Sequence, residues 1–156
     1  MRSLSTLLAS GALLLAACEG DTGPPSTSTD SSEIETLDGR VAFLDAYLGS
    51  RPYADLPAGT PADSGLVFSV WYQNNESGIL PGPSDWMIDV VARVPPNSLD
   101  SWREGIPRAD SVEGEWLRSR SSGPPVDGIN EWYGDSSRLV GIDRQRGVVA
   151  FRWSTF

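Results

Sequence analysis

The chain has 156 residues, 12 basic and 21 acidic, and a formal charge of −9. Every basic residue is an arginine, lysine and histidine are absent, and Cys18 is the sole cysteine. The acid excess argues against nucleic acid as a partner, because basic side chains supply most of that affinity. The missing residue types exclude Ser-His-Asp and Cys-His nucleophile systems, lysine Schiff bases, the P-loop and His/Cys zinc, haem or iron–sulfur centres.

The first element is MRSLSTLLASGALLLAAC. Arg2 precedes a stretch that is apolar or small from Leu7 to Ala17, and Glu19 and Asp21 follow directly. A basic start, an apolar run of about 7–15 residues and small residues at its end form an export signal. The run is too short to span a bilayer, which takes about 20 apolar residues. Leu15-Ala16-Ala17-Cys18 resembles the lipobox of bacterial lipoproteins: an aliphatic residue, two small ones, then cysteine. The resemblance implies diacylation of the Cys18 sulfur, cleavage before it and acylation of the new amine. It covers only this precursor end. By the same resemblance, Glu19 in place of aspartate implies the outer membrane, in an organism that has one. A modified Cys18 leaves no free thiol, and two or three acyl chains hold far more firmly than one.

Residues 19–32, EGDTGPPSTSTDSS, carry no large apolar side chain and read as a disordered tether. Fully extended, these residues reach about 45–50 Å. A folded domain is expected over 33–156. It opens with a helix capped by Ser32 and Glu35, with Ile34, Leu37, Val41, Leu44 and Leu48 forming an apolar stripe. Gly39 weakens that helix, and Gly49 with Pro52 ends it.

LVFSVWYQ (66–73) reads as a strand, and DWMIDVVARV (85–94) as a second. In the latter Trp86, Ile88, Val90, Ala92 and Val94 share one face, opposite Asp89 and Arg93, the pattern of a half-solvated antiparallel strand. PPNSLDSWREGIP contains a short helix with Asn97 or Ser98 as cap. EWLRSR (115–120) reads as a strand, and SRLVGID with GVVAFRWST as a hairpin turning at 144–147. The fold class is therefore α+β: an antiparallel sheet of about five strands, one N-terminal helix and one short helix, after a signal peptide (1–17) and a lipidated tether (18–32).

Carboxylates are the chemistry that remains. Asp85/Asp89, Glu113/Glu115 and Glu131/Asp135 are near pairs, and a glycosidase needs two carboxyls about 5–9.5 Å apart. DGINEWYGD offers oxygen ligands at Asp127, Asn130, Glu131 and Asp135, without the alternating acids of an EF-hand. Trp86 and Trp102 fall on apolar faces and are expected in the core. Trp132 and Tyr133, in a turn-rich stretch, are the better candidates for a ligand-binding surface, beside Glu131 and Asp135.

The expectation is a lipid-anchored protein of the cell envelope with no catalytic residues, cofactor or metal. It faces the periplasm or the cell surface, meets the membrane through Cys18 and binds an envelope protein or wall glycan. A carboxylate enzyme or a glycan-binding module acting on envelope saccharide remains the alternative.

Overall fold

The computed structural model describes residues 26–73, 85–109, 115–118, 120 and 122–155. The fold is α+β. Six strands form one antiparallel sheet in the order β1-β2-β3-β6-β5-β4. The strands are β1 (Ser26–Asp30), β2 (Leu66–Gln73), β3 (Asp85–Arg93), β4 (Glu131–Gly134), β5 (Arg138–Asp143) and β6 (Val148–Ser154). Helix α1 (Leu37–Leu48) joins β1 to β2, and a 3-10 helix (Pro96–Arg103) with a single turn of helix α2 (Glu115–Arg118) lies between β3 and β4.

β1 is a correction to the tether. Ser26 to Asp30 pair with Gln73 to Ser69, so the ordered fold begins inside the stretch read as linker. Edge pairing uses main-chain donors and acceptors and needs no large apolar side chain. Asp30 then caps a 3-10 turn, Ser31–Glu33, its Oδ1 accepting from the Ser32 N–H at 2.8 Å. The helix consequently starts later than the Ser32 cap implied. Thr36 is the cap, its hydroxyl oxygen accepting from the Gly39 N–H at 3.2 Å. Gly39 sits in the first turn, where a Cβ would lie 2.9 Å from both Ile34 Cγ2 and Thr36 Oγ1, so close packing outweighs its low helix propensity.

Strand alternation sorts the side chains between two faces. Phe68, Val70, Ile88, Val90, Val140, Ile142, Val149 and Phe151 point to the inner face, where Leu44, Leu48, Leu99 and Trp102 complete the main core. Val67, Val91, Val148 and Ala150 point outward. The outer face is not simply solvated, as the alternation in β3 had implied. Leu117 covers its apolar part, with Trp116, Val126, Ile129 and Trp132 packed around it.

EWLRSR thus forms helix α2 at its start, not a strand. Trp116 and Leu117 are adjacent yet both pack on this surface, whereas successive strand side chains point to opposite faces. The hairpin between β5 and β6 forms where expected. Asp143 Oδ1 accepts from the Gln145 and Arg146 N–H groups, and Gly147 takes φ +63° while its carbonyl accepts from Val94 N at 2.7 Å. A Cβ at Gly147 would stand 2.8 Å from the Val94 carbonyl oxygen, so turn and strap both require glycine.

Arg40 is the notable polar group in the core. It is 4 % exposed. Its Nε donates to the Ile34 carbonyl at 2.8 Å, and its Nη1 to the Leu66 carbonyl at 2.7 Å and to Asp63. Continuing the β1–β2 register would place Glu33 opposite Leu66, but the chain has already turned away there. The guanidinium supplies the donor that the missing strand would have given.

Candidate functional site

The described residues of the DGINEWYGD stretch are held by contacts of the fold. DGINEWYGD is not a polar loop throughout, because Glu131–Gly134 is strand β4, paired with β5 from Ile142 to Leu139. Tyr133 points to the inner face and is 7 % exposed. Trp132 points outward onto Gly141, its cross-strand partner, and packs with Ile129. A Cβ at Gly141 would stand 2.6 Å from the Trp132 ring, so glycine makes room for the indole. Neither ring is the exposed platform expected.

The acids of that stretch are consumed by the fold. Tyr133 donates its hydroxyl to Glu131 Oε2 at 3.0 Å, and Arg144 spans Glu131 Oε1 at 2.6 Å and Asp100 at 2.9 Å. Arg103 also donates to Asp100, at 2.7 Å, and lies over the Tyr133 ring at 4.8 Å. Hydrogen bonds from Arg144, then Arg103, hold Asp100 down to about 2, and Arg144 likewise lowers Glu131. This network bolts the 3-10 helix to β4 and the β5–β6 hairpin.

Asp135 closes the β4–β5 turn, accepting from the Ser137 and Arg138 N–H groups and from the Arg138 guanidinium. Burial pushes it up, and these bonds outweigh that to leave it at about 2. Asp127 pairs with Arg146, which lowers its pKa. Among the described residues no three acidic side chains gather as a cation site. Glu113 lies outside the described residues, so the Glu113/Glu115 pair does too.

A different place emerges on the outer face. Cross-strand pairing aligns Asp30, Ser69, Asp89 and Arg152 in one polar row across β1, β2, β3 and β6. Beside it runs an apolar row of Val67, Val91 and Ala150. The polar row floors a cleft of about 480 Å³, walled by Trp116, Arg120 and Ser122 on one side and by Ser31 and Ser32 on another. Asp89 and Arg152 form a bidentate pair, with Nε–Oδ1 at 2.6 Å and Nη2–Oδ2 at 2.7 Å. The Arg152 guanidinium also stacks over Trp116 at 4.8 Å, so charge and indole fix each other in place.

Arg120 reaches in from the covering segment, its Nε donating to the Leu117 carbonyl and its Nη2 to the Pro124 carbonyl, each at 3.4 Å. Its Nη1 is buried without a hydrogen-bond partner. Burial lowers the Arg120 pKa, and the nearby Asp89 opposes that shift.

Asp30 and Asp89 stand two ladder steps apart, about 10 Å between Cα atoms. Both Asp89 oxygens accept from Arg152, and Asp30 Oδ1 caps the 3-10 turn. The cleft therefore offers donors and acceptors that are fixed in place by the fold. The sequence pointed to Asp89 only as half of a carboxylate pair. The row itself depends on the register of β1 against β2, which Ser-Thr repeats do not reveal.

No family model matches the chain, and neither a curated protein nor a solved structure is found to match it.

Proposed function

We propose that the protein is a lipid-anchored domain of the cell envelope that binds a small polar ligand, of saccharide size, in the cleft on the outer face of the sheet. The lipobox at Leu15 to Cys18 supports the anchorage. Among the described residues no helix is long and apolar enough to cross a membrane.

The observation that carries the binding role is the polar row Asp30–Ser69–Asp89–Arg152. Carboxylate, hydroxyl, carboxylate and guanidinium stand side by side on a hydrogen-bonded ladder, which holds them at the strand spacing of about 4.8 Å. Such a row presents acceptors and donors to a ligand rich in hydroxyls without reorganising. Trp116 adds apolar contact at its side, a combination common to small-molecule sites. The two acids and two arginines of the cleft balance in charge, which favours a neutral or zwitterionic ligand such as an envelope glycan unit.

Titration of soluble disaccharide-peptide fragments of wall glycan into the purified domain, followed by microcalorimetry and amide NMR shifts, tests the reading. The expected result is saturable binding with shifts centred on Ser69, Asp89 and Arg152. Ser69→Trp, which fills the cleft from an exposed position, is expected to abolish binding and leave thermal stability near that of the wild type. Binding that survives Ser69→Trp, or no saturable binding of any fragment, would overturn it.

A further inference from the structure

The two ends of the sheet differ. At one end lie Ser26, Gln73, Asp85 and Ser154, and at the other Asp30, Leu66, Arg93 and Val148. The polypeptide from Cys18 enters at the first end. Only seven residues, 19–25, separate Cys18 from β1, so even fully extended they reach about 25 Å.

Aromatic side chains gather at that same end. Trp86 and Trp153 meet edge to face on the inner face, with centroids 4.5 Å apart and planes at 83°. Tyr72 is the cross-strand partner of Trp86 and is 38 % exposed. Helix α1 advances along β2, from Arg40 at the Leu66 carbonyl to Phe43 stacked on Phe68. Tyr47, one turn further and in ring contact with Phe43, therefore lies towards the same end, and it is 48 % exposed. Tyr47 and Tyr72 are the two exposed large hydrophobic residues among those described.

Tryptophan and tyrosine combine an apolar ring with a polar tip, and both are enriched where a bilayer meets water. We infer that the end of the sheet carrying Tyr47, Tyr72, Trp86 and Trp153 rests on the bilayer interface, oriented by the short tether, with the ligand cleft carried on the adjacent outer face. The inference rests on the lipid anchor proposed above. The partner is a zwitterionic phospholipid surface, because a chain of charge −9 is repelled by anionic headgroups.

The test uses full-length lipidated protein reconstituted in phosphatidylcholine vesicles, with bromine placed at shallow or deep acyl positions. Mass spectrometry of the mature N-terminus first establishes acylated Cys18, so a missing anchor is distinguished from a wrong orientation. In acylated protein, shallow bromines are expected to quench a fraction of the tryptophan emission more strongly than deep ones, and Trp86→Phe/Trp153→Phe is expected to remove that fraction. A second variant, Tyr47→Ser/Tyr72→Ser, changes only exposed rings and is expected to lower the quenching at least twofold with the fold intact by circular dichroism. Acylated wild-type protein without bromine quenching, or quenching unchanged in both variants, would overturn the inference.

Discussion

Replacing Arg40 by alanine tests how the sheet is closed where β1 stops. In the folded state the guanidinium satisfies the Leu66 carbonyl in a buried setting and the Ile34 carbonyl in a half-buried one. An acceptor left without a partner in the interior costs about 1–3 kcal/mol, and an ordinary hydrogen bond contributes about 1 kcal/mol. The pair with Asp63 adds little, because Asp63 is 51 % exposed and water takes over its solvation. The expected destabilisation is therefore about 2–4 kcal/mol, a fall in Tm of roughly 8–16 °C for a domain of this size. Urea unfolding followed by tryptophan emission measures it. Arg40→Met retains the aliphatic stem and is expected to lose nearly as much, since the donors and not the stem are at issue. A loss below about 1 kcal/mol for Arg40→Ala would refute the reasoning, because the Leu66 carbonyl would then have to be satisfied in another way.

Two further outcomes are expected. Asp100 and Asp135 both sit at about 2, below the ordinary 3.8. Their folded values being depressed, the stability they contribute is present above 3.8 and is lost as the pH falls towards 2. Urea midpoints measured down to about pH 2 should decline across that window, and Arg144→Gln should flatten the decline by freeing Asp100 and Glu131; an unaltered acid limb in that variant would show the network to be idle. Gly141→Ala places a methyl group against Trp132 and Ile129, and is expected to cost about 1–3 kcal/mol by overpacking. Its thermal unfolding and Trp132-dependent near-ultraviolet dichroism should both change, and a neutral effect would mean that Trp132 does not lie on Gly141.

What the sequence revealed follows from where apolar side chains are needed. β2, β3 and the β5–β6 hairpin bury one or both faces, so Val, Ile and Phe recur at the strand period and mark them plainly. β1 is an edge strand of Ser and Thr, paired through its backbone, and carries no such signal. β4 has only four residues, and its Trp132 and Tyr133 bury opposite faces amid turn-forming neighbours. Its outer edge is covered by residues 107–109, through Ala109 N–H to the Trp132 carbonyl and Gly134 N–H to the Pro107 carbonyl. That long-range contact is invisible to local pattern. The acids near Trp132 looked available because arginines 3 to 19 residues away, their partners, are paired with them only by the fold. The cleft was hidden for the same reason, since its row draws one residue from each of four strands.

The entry of the chain through β1 has a mechanical consequence. A pull on the polypeptide ahead of Ser26 acts along the strand axis, so the β1–β2 ladder is loaded in shear over all five pairs at once and not peeled one pair at a time. β1 ends in Asp30 and leads straight into Ser31 and Ser32, which wall the cleft. Tension high enough to slide β1 would therefore dismantle that wall before it reached the main core, and a ligand seated there would hold the strand against the load.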